Sequence, residues 1–180
     1  MADPEFLFLG DALWLDFVNT RQRAPAEPID RLPDAAAYRR WTAARRLRHD
    51  GSSSAFRDVL QLRTRLESLA DALAAGRRPP SAVVEAINTI LSSAPGHQCL
   101  TRVGGSWQVR FSFPTPPTAV VAIVQSAAAT LADSQGQVRR CASERCGLFL
   151  LDDSLTQSRR FCRASCGGSR FVERRRGILR

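Results

Sequence analysis

The chain has 180 residues, of which 44% are apolar, so it can form one ordinary domain, or one domain plus a small module. It contains no run of eighteen apolar residues, so the sequence predicts neither a membrane span nor a membrane partner. The first ten residues carry acids where a secretory signal needs positive charge, and we therefore expect a cytoplasmic protein.

Charge is unevenly distributed along the chain. The net charge is +9, and every one of the 26 basic residues is arginine. Residues 1–137 are nearly neutral at +2, whereas residues 138–180 hold 11 arginines and four acids, a balance of +7. A basic C-terminal quarter on a neutral body favours a nucleic-acid surface, since arginine is a strong ligand of phosphate and guanine.

The first half of the sequence is predicted to be helical. The stretch "LWLDFVNT" has apolar residues on one helical face, with Asp11 as a candidate cap. A proline-rich loop follows. A second helix is then predicted to begin at the cap Asp34 and to turn Tyr38 and Trp41 inward.

Further helices and one hairpin follow. A helix over roughly residues 54–75 has the most regular apolar spacing, and Gly76 is well placed to end it. Ser81 is a candidate cap for a shorter helix. Alternation around a Gly-Gly pair at 104–105 predicts a β-hairpin, and residues 118–132 predict an apolar helix through the core. Short strands and turns come next, and the last stretch is predicted to be a basic helix.

Four of the five cysteines lie within 26 residues, as C-x4-C, a 15-residue spacer and C-x3-C. Two close pairs with a hairpin-sized spacer match the needs of a tetrahedral zinc site. Four thiolates leave the metal no open position, so we predict one structural Zn²⁺. The predicted ligands are Cys141, Cys146, Cys162 and Cys166. The remaining cysteine, Cys99, is predicted to be a small core residue.

Other uses of these cysteines fit less well. Disulfides would suit a secreted chain, but the sequence shows no signal peptide and the cysteine count is odd. A redox pair normally uses C-x-x-C, which is absent. Free core cysteines stay open as an alternative, although four of five in one basic segment is unlike ordinary core usage.

The arginines near the cysteines exceed what the metal needs. Four thiolates and one Zn²⁺ sum to −2, so a zinc-loaded module of residues 138–180 retains about +5. That surplus faces water or an anionic partner; a solvated basic tail is the alternative to a binding surface. The candidate DNA contacts are Arg159, Arg160, Arg163, Arg170, Arg174, Arg175 and Arg176.

Other polar residues give weaker signals. Asp16 and Asn19 lie on the polar side of the first helix and are candidates to line a ligand pocket, with capping or surface hydrogen bonding as the alternative. Asp152 and Asp153 are predicted to form a turn of the hairpin rather than a metal site. The sequence has no P-loop, H-E-x-x-H, G-x-S-x-G or dinucleotide fingerprint, so we do not expect an enzyme.

The segment "RCASERCGLFLLDDSLTQSRRFCRASCG" resembles the CGNR zinc-finger family of bacterial proteins, and "LWLDFVNT" resembles the opening of the ABATE domain that precedes this finger. The resemblance implies a transcriptional regulator in which the finger binds DNA and the N-terminal domain senses an unidentified small-molecule effector. The matching finger positions are Cys141, Cys146, Leu151, Asp152, Ser154, Ser158, Arg159, Arg160, Cys162, Cys166 and Gly167.

The chain departs from the family pattern at its namesake motif. Gly168 and Ser169 stand where the family has Asn and Arg. The family arginine is either lost at Ser169 or displaced by one position to Arg170, which is about 100° on a helix. Phe161 replaces a tryptophan. We therefore expect modest sequence specificity from one chain, which makes a homodimer a candidate arrangement.

Together these patterns predict an α+β, mostly helical protein. Residues 1–133 are expected to form a helical, ABATE-like domain with one β-hairpin that folds without the rest, and residues 138–180 a small, basic, treble-clef-like zinc module. The favoured function is DNA binding in bacterial transcription regulation. The alternatives are a non-catalytic protein-interaction module, or a small-molecule-binding domain capped by a structural zinc finger.

Overall fold

The computed structural model describes residues 5–22, 28–51, 53–133 and 136–167. Within these ranges the protein is mostly helical, as predicted, and the elements follow the expected order. The helices are α1 (Leu13–Val18), α2 (Ala35–Ala44), α3 (Ser53–Ala74), α4 (Ser81–Ser93) and α5 (Ala119–Ala132).

The strands of the described residues form three separate antiparallel pairs. They are β1 (Arg21–Gln22) with β2 (Ile29–Asp30), β3 (His97–Val103) with β4 (Ser106–Ser112), and β5 (Gln137–Arg140) with β6 (Phe149–Asp152). The β3–β4 pair is the predicted hairpin, and the β5–β6 pair belongs to the cysteine-rich segment. The predicted fold class is thus confirmed.

Local signals explain several helix and turn boundaries. The Asp34 carboxylate accepts a hydrogen bond from the Ala37 N–H at 2.7 Å and caps α2, as predicted. Gly76 follows α3 with φ +65°, which only glycine adopts without strain. Gly104 and Gly105 both have positive φ and form the two-residue turn of the β3–β4 hairpin.

Two predicted caps are wrong. Asp11 has φ +59° and forms an ion pair with Arg159, while α1 begins after Ala12 without a side-chain cap. Its carboxylate is occupied by a partner 148 residues away, so it does not serve its own helix. Ser81 lies inside α4, because Pro80 takes the cap position and its carbonyl accepts from the N–H groups of Val83 and Val84.

One hydrophobic core joins the two parts of the chain. Trp14, Phe17 and Trp41 are fully buried at its centre, with α5 packed across α1. Val138 and Phe149, from the cysteine-rich segment, belong to the same core. Removing the segment would uncover apolar surface on the helices, so the independent folding of residues 1–133 stays a prediction.

Two smaller observations complete the fold. Cys99 lies half-buried on the β3–β4 hairpin, outside the core, so its prediction as a core residue is wrong. No helix among the described residues is both long and apolar enough to cross a bilayer.

Candidate metal centre

The four clustered cysteines converge on one point. Their Sγ atoms all lie within 4.8 Å of one another, and the four residues are buried. The Cys146 and Cys162 sulfurs are 3.5 Å apart, and those of Cys162 and Cys166 are 3.7 Å apart. Ligands about 2.3 Å from a tetrahedral zinc stand about 3.8 Å from each other, so the spacing fits this ion.

The backbone around the first pair forms a zinc knuckle. The Cys141 N–H donates to the Leu148 carbonyl at 2.8 Å, and the Cys146 N–H donates to the Ser143 carbonyl at 3.0 Å. Gly147 follows with φ +68°, which lets the chain turn sharply into β6. The knuckle therefore fixes both sulfurs by local hydrogen bonds.

The second pair lies at the start of a helical turn over residues 164–167. The Cys166 N–H donates to the Arg163 carbonyl at 3.1 Å, which brings the two sulfurs to one side. The Ala142 N–H donates to the Arg160 carbonyl at 2.8 Å and so joins the two pairs. A knuckle, a hairpin and a helical turn match the predicted treble-clef-like layout.

An apolar shell surrounds the sulfurs. Leu148 and Leu150 of the finger are buried against the cysteines, and Phe161 covers one side. Leu7, from the N-terminal segment, completes this shell. No local pattern indicates that a residue so distant in sequence from the cysteines would serve the site. An apolar shell of this kind limits the access of solvent to the thiolates.

The pKa values of the clustered thiols are shifted in opposite directions. Hydrogen bonding from Cys162 lowers the pKa of Cys146 to about 5. Hydrogen bonding to Cys146 and burial raise the pKa of Cys162, and burial raises the pKa of Cys166. Without a metal, the thiolate form is thus favoured at Cys146 and disfavoured at Cys162 and Cys166. A divalent ion allows all four to deprotonate together, so the donor set fits one zinc ion in a structural role.

Asp152 organises the loop that leads to the second pair. Its buried carboxylate accepts from the Ser154 hydroxyl at 2.5 Å and from the Arg159 N–H at 2.9 Å, and it pairs with Arg139 at 3.0 Å. The Ser154 hydrogen bond in particular lowers the pKa of Asp152. The residue holds the turn after β6 closed.

Arg159 is partly exposed, but its guanidinium makes several contacts within the protein. Its guanidinium donates to the carbonyls of Phe161 at 3.3 Å and Cys162 at 3.1 Å, and it pairs with Asp11. The side chain thereby fixes the loop that carries Cys162. These contacts occupy donors that a phosphate contact would need, and the DNA-binding role of Arg159 stays a prediction.

The other predicted DNA contacts separate into two groups. Arg160 and Arg163 are exposed beside the metal site. Hydrogen bonding to Cys166 raises the pKa of Arg163 above its ordinary value. The remaining four lie outside the described residues: Arg170, Arg174, Arg175 and Arg176.

Asp16 and Asn19, the residues predicted to line a ligand pocket, make internal contacts in the fold, and the pocket stays a prediction. Both side chains are buried, and their polar atoms serve internal contacts. Asp16 accepts from the Gly10 N–H at 2.8 Å and pairs with Arg45 at 3.5 Å, while burial raises the pKa of Asp16. Asn19 donates to the Phe149 carbonyl and accepts from the Phe149 N–H, both at 2.8 Å.

Asn19 therefore acts as a short strand partner for β6. Other contacts lie nearby: the Gln22 amide donates to the Cys146 carbonyl at 2.9 Å, and the Leu151 N–H donates to the Gly10 carbonyl at 2.9 Å. The metal centre is thus attached to α1 and β1 by direct hydrogen bonds. A polar residue directly after α1 was the sign of this in the sequence.

Replacing Asn19 with alanine should lower the free energy of unfolding by about 2–4 kcal/mol, since two buried backbone groups of Phe149 lose their partners. Urea unfolding of the zinc-loaded protein measures the change. Asn88→Ala, at an exposed position on α4, is the matched control and should change stability by less than about 0.5 kcal/mol. Equal effects of the two substitutions would contradict the assigned role.

A closed four-cysteine site of this geometry defines a structural zinc finger, here packed onto a helical domain. Comparison with protein families agrees with that class. The model of the ABATE family, described as "Putative stress-induced transcription regulator", matches residues 11–134, and that of the CGNR zinc finger matches residues 137–177. The chain belongs to the ABATE family and carries a CGNR zinc finger. A search of curated proteins finds no match to the chain.

Proposed function

We propose that this protein is a cytoplasmic bacterial regulator of transcription that binds double-stranded DNA through its zinc-stabilised finger. The ABATE description and the finger support regulation as the general role. The observation that carries DNA binding is the position of Arg160 and Arg163, exposed beside a metal site that holds their backbone in place.

The charges of the finger favour an anionic partner. Arg139, Arg140 and Arg159 form ion pairs with acids of the protein. Arg160 and Arg163 are exposed, and the sequence adds Arg170 and a triple arginine at 174–176. Such a surface suits the phosphates of a duplex, which set affinity and register.

The two parts of the chain are proposed to have separate roles. We propose residues 1–133 as the sensor domain and residues 138–180 as the DNA-binding module, with Cys141, Cys146, Cys162 and Cys166 as the zinc ligands. Zinc with four thiolates has no open position, so the proposed role of the metal is to hold the finger and not to catalyse a reaction.

A salt series on the full-length, zinc-loaded protein tests DNA binding. Fluorescence anisotropy of a labelled duplex should give a slope of log K against log salt near −4 if about four arginines contact phosphates. Zinc content is measured on the same sample. A zinc-loaded protein that binds no duplex at about 50 mM salt would defeat the proposal.

Charge reversal at two positions locates the surface. The double variant Arg160→Glu, Arg163→Glu should reduce the magnitude of the slope by about 2 and weaken binding to all duplexes alike, since each phosphate contact contributes about 0.9. Arg57→Glu, Arg65→Glu makes the same charge change on exposed positions of α3 and should leave the slope unchanged. If the two double variants weaken binding equally, net charge and not the finger surface governs affinity.

A further inference from the structure

The β3–β4 hairpin exposes a continuous apolar face. In its register Leu100 pairs with Val109, and Trp107 and Phe111 lie two residues to either side of Val109 on the same strand. Paired residues and every second residue share a face, so these four side chains point the same way. Each of the four is 55–65% exposed.

The hairpin has little support from the rest of the described residues. Its strands pair with each other and do not pack extensively on another element. Its base is held where the Phe111 ring lies over Gly96, at which a Cβ would come within 2.2 Å of the ring. A two-stranded hairpin is only marginally stable by itself, so we expect the apolar face of this hairpin to pack against another surface.

A groove opens at the base of this face. It has a volume of about 340 Å³ and is lined by Leu91, Ala94, Phe111, Phe113, Gln125 and Ala128. Phe111 belongs to both the groove and the apolar face, so the two are continuous. Trp107 is thus an exposed aromatic ring beside the turn of the hairpin, and the groove lies at the opposite end of the same face.

We propose that a second copy of this chain covers the face, with the two hairpins stacked about a twofold axis through Val109. Because Trp107 and Phe111 are each two residues, or about 7 Å, from Val109, this axis sets Trp107 of one copy over Phe111 of the other. The indole then enters the groove of the second copy, and the reverse contact forms by symmetry.

Area and charge agree with this occupant. The four side chains present roughly 500 Å² of apolar surface per chain, so two copies bury roughly 1,000 Å² before the groove and rim are included. That approaches the roughly 1,200 Å² at which stable specific interfaces begin. The charged residue on this face, Arg102, pairs with Trp107 beside the turn and lies at the rim, so no like charges meet at the centre.

Sedimentation velocity of the full-length, zinc-loaded protein without DNA tests the proposal, and its outcome is separate from that of DNA binding. We expect a monomer–dimer equilibrium between about 1 and 100 µM. Val109→Arg should raise the dissociation constant at least about 100-fold, because two arginines would face each other at the axis. Gln108→Arg, on the opposite face of the same strand, should dimerise like the unsubstituted protein.

Tryptophan fluorescence gives an independent readout. Trp14 and Trp41 are fully buried, whereas Trp107 is 65% exposed, so a soluble quencher reports on Trp107. Quenching should fall as concentration rises into the dimer range and should be nearly absent in Trp107→Phe. Far-UV circular dichroism verifies folding, and Trp107→Ser serves as the disrupting variant if Val109→Arg does not fold.

Three results would overturn the proposal: a monomer at about 100 µM, a Val109→Arg dimer as tight as the original, or equal loss of the dimer in Gln108→Arg. Binding of a monomer to anionic lipid vesicles, abolished by Trp107→Ser, would assign the face to a membrane surface instead.

Discussion

Replacing Cys162 with serine is expected to abolish stoichiometric zinc binding and to destabilise the whole chain. A hydroxyl is a poor zinc ligand, and in small metal modules the binding free energy is folding free energy, on the order of 10 kcal/mol. Because the finger shares its core with the helices, the loss should reach α1 and lower the midpoint of thermal unfolding by roughly 10 °C or more. Metal analysis and circular dichroism measure the two effects.

The fifth cysteine provides the matched control for this substitution. Cys99 is half-buried on the β3–β4 hairpin and lies outside the sulfur cluster. Cys99→Ser should therefore keep one equivalent of zinc and a nearly unchanged midpoint. A Cys162→Ser protein that retains both, or a Cys141–Cys162 disulfide in reduced, metal-replete protein, would refute the four-thiolate site.

Replacing Phe149 with alanine should lower the free energy of unfolding by about 3–5 kcal/mol, although the residue belongs to the finger. Phe149 is only 3% exposed and lies in the core shared with α1, α3 and α5. The deletion leaves a cavity there and removes the ring under the Arg140 guanidinium, which lies 4.4 Å from the ring centroid. Urea unfolding of the zinc-loaded protein measures the loss.

Phe8 is a close control for Phe149. It also carries a guanidinium over its ring, that of Arg45 at 5.0 Å, but it is 39% exposed. Phe8→Ala should cost about 1 kcal/mol, because its ring is only partly buried and lies outside the shared core. A small effect of Phe149→Ala, with the N-terminal helices unchanged, would mean that the two parts fold independently.

The elements that sequence predicts well are those fixed by near neighbours. Helical spacing located α3 and α5, Gly76 and the pair at 104–105 marked a helix end and a turn, and cysteine spacing located the metal centre. In each case the residues that determine the element lie close together in the sequence. Local sterics and ligand spacing are sufficient there.

The roles that the sequence did not predict depend on partners that are distant in the chain. Asp11 fits the pattern of a helix cap, but Arg159 competes for its carboxylate. Asn19 fits the polar face of a surface helix, but Phe149 supplies two backbone partners in the interior. Local pattern carries no information on such competition, because it is decided by packing.

The long separation of these partners has a consequence for synthesis on the ribosome. Helix α1 is synthesised early, but Phe149, whose backbone pairs with Asn19, follows that residue by 130 positions. Arg159, the partner of Asp11, follows Asp11 by 148 positions. At about 5–20 residues per second, that interval is roughly 7–30 s. During this time the buried amide of Asn19, at the end of α1, has no partner, and the metal ligands have not yet emerged. Native closure of the helical core is therefore a late event, completed only when the zinc-binding segment leaves the exit tunnel.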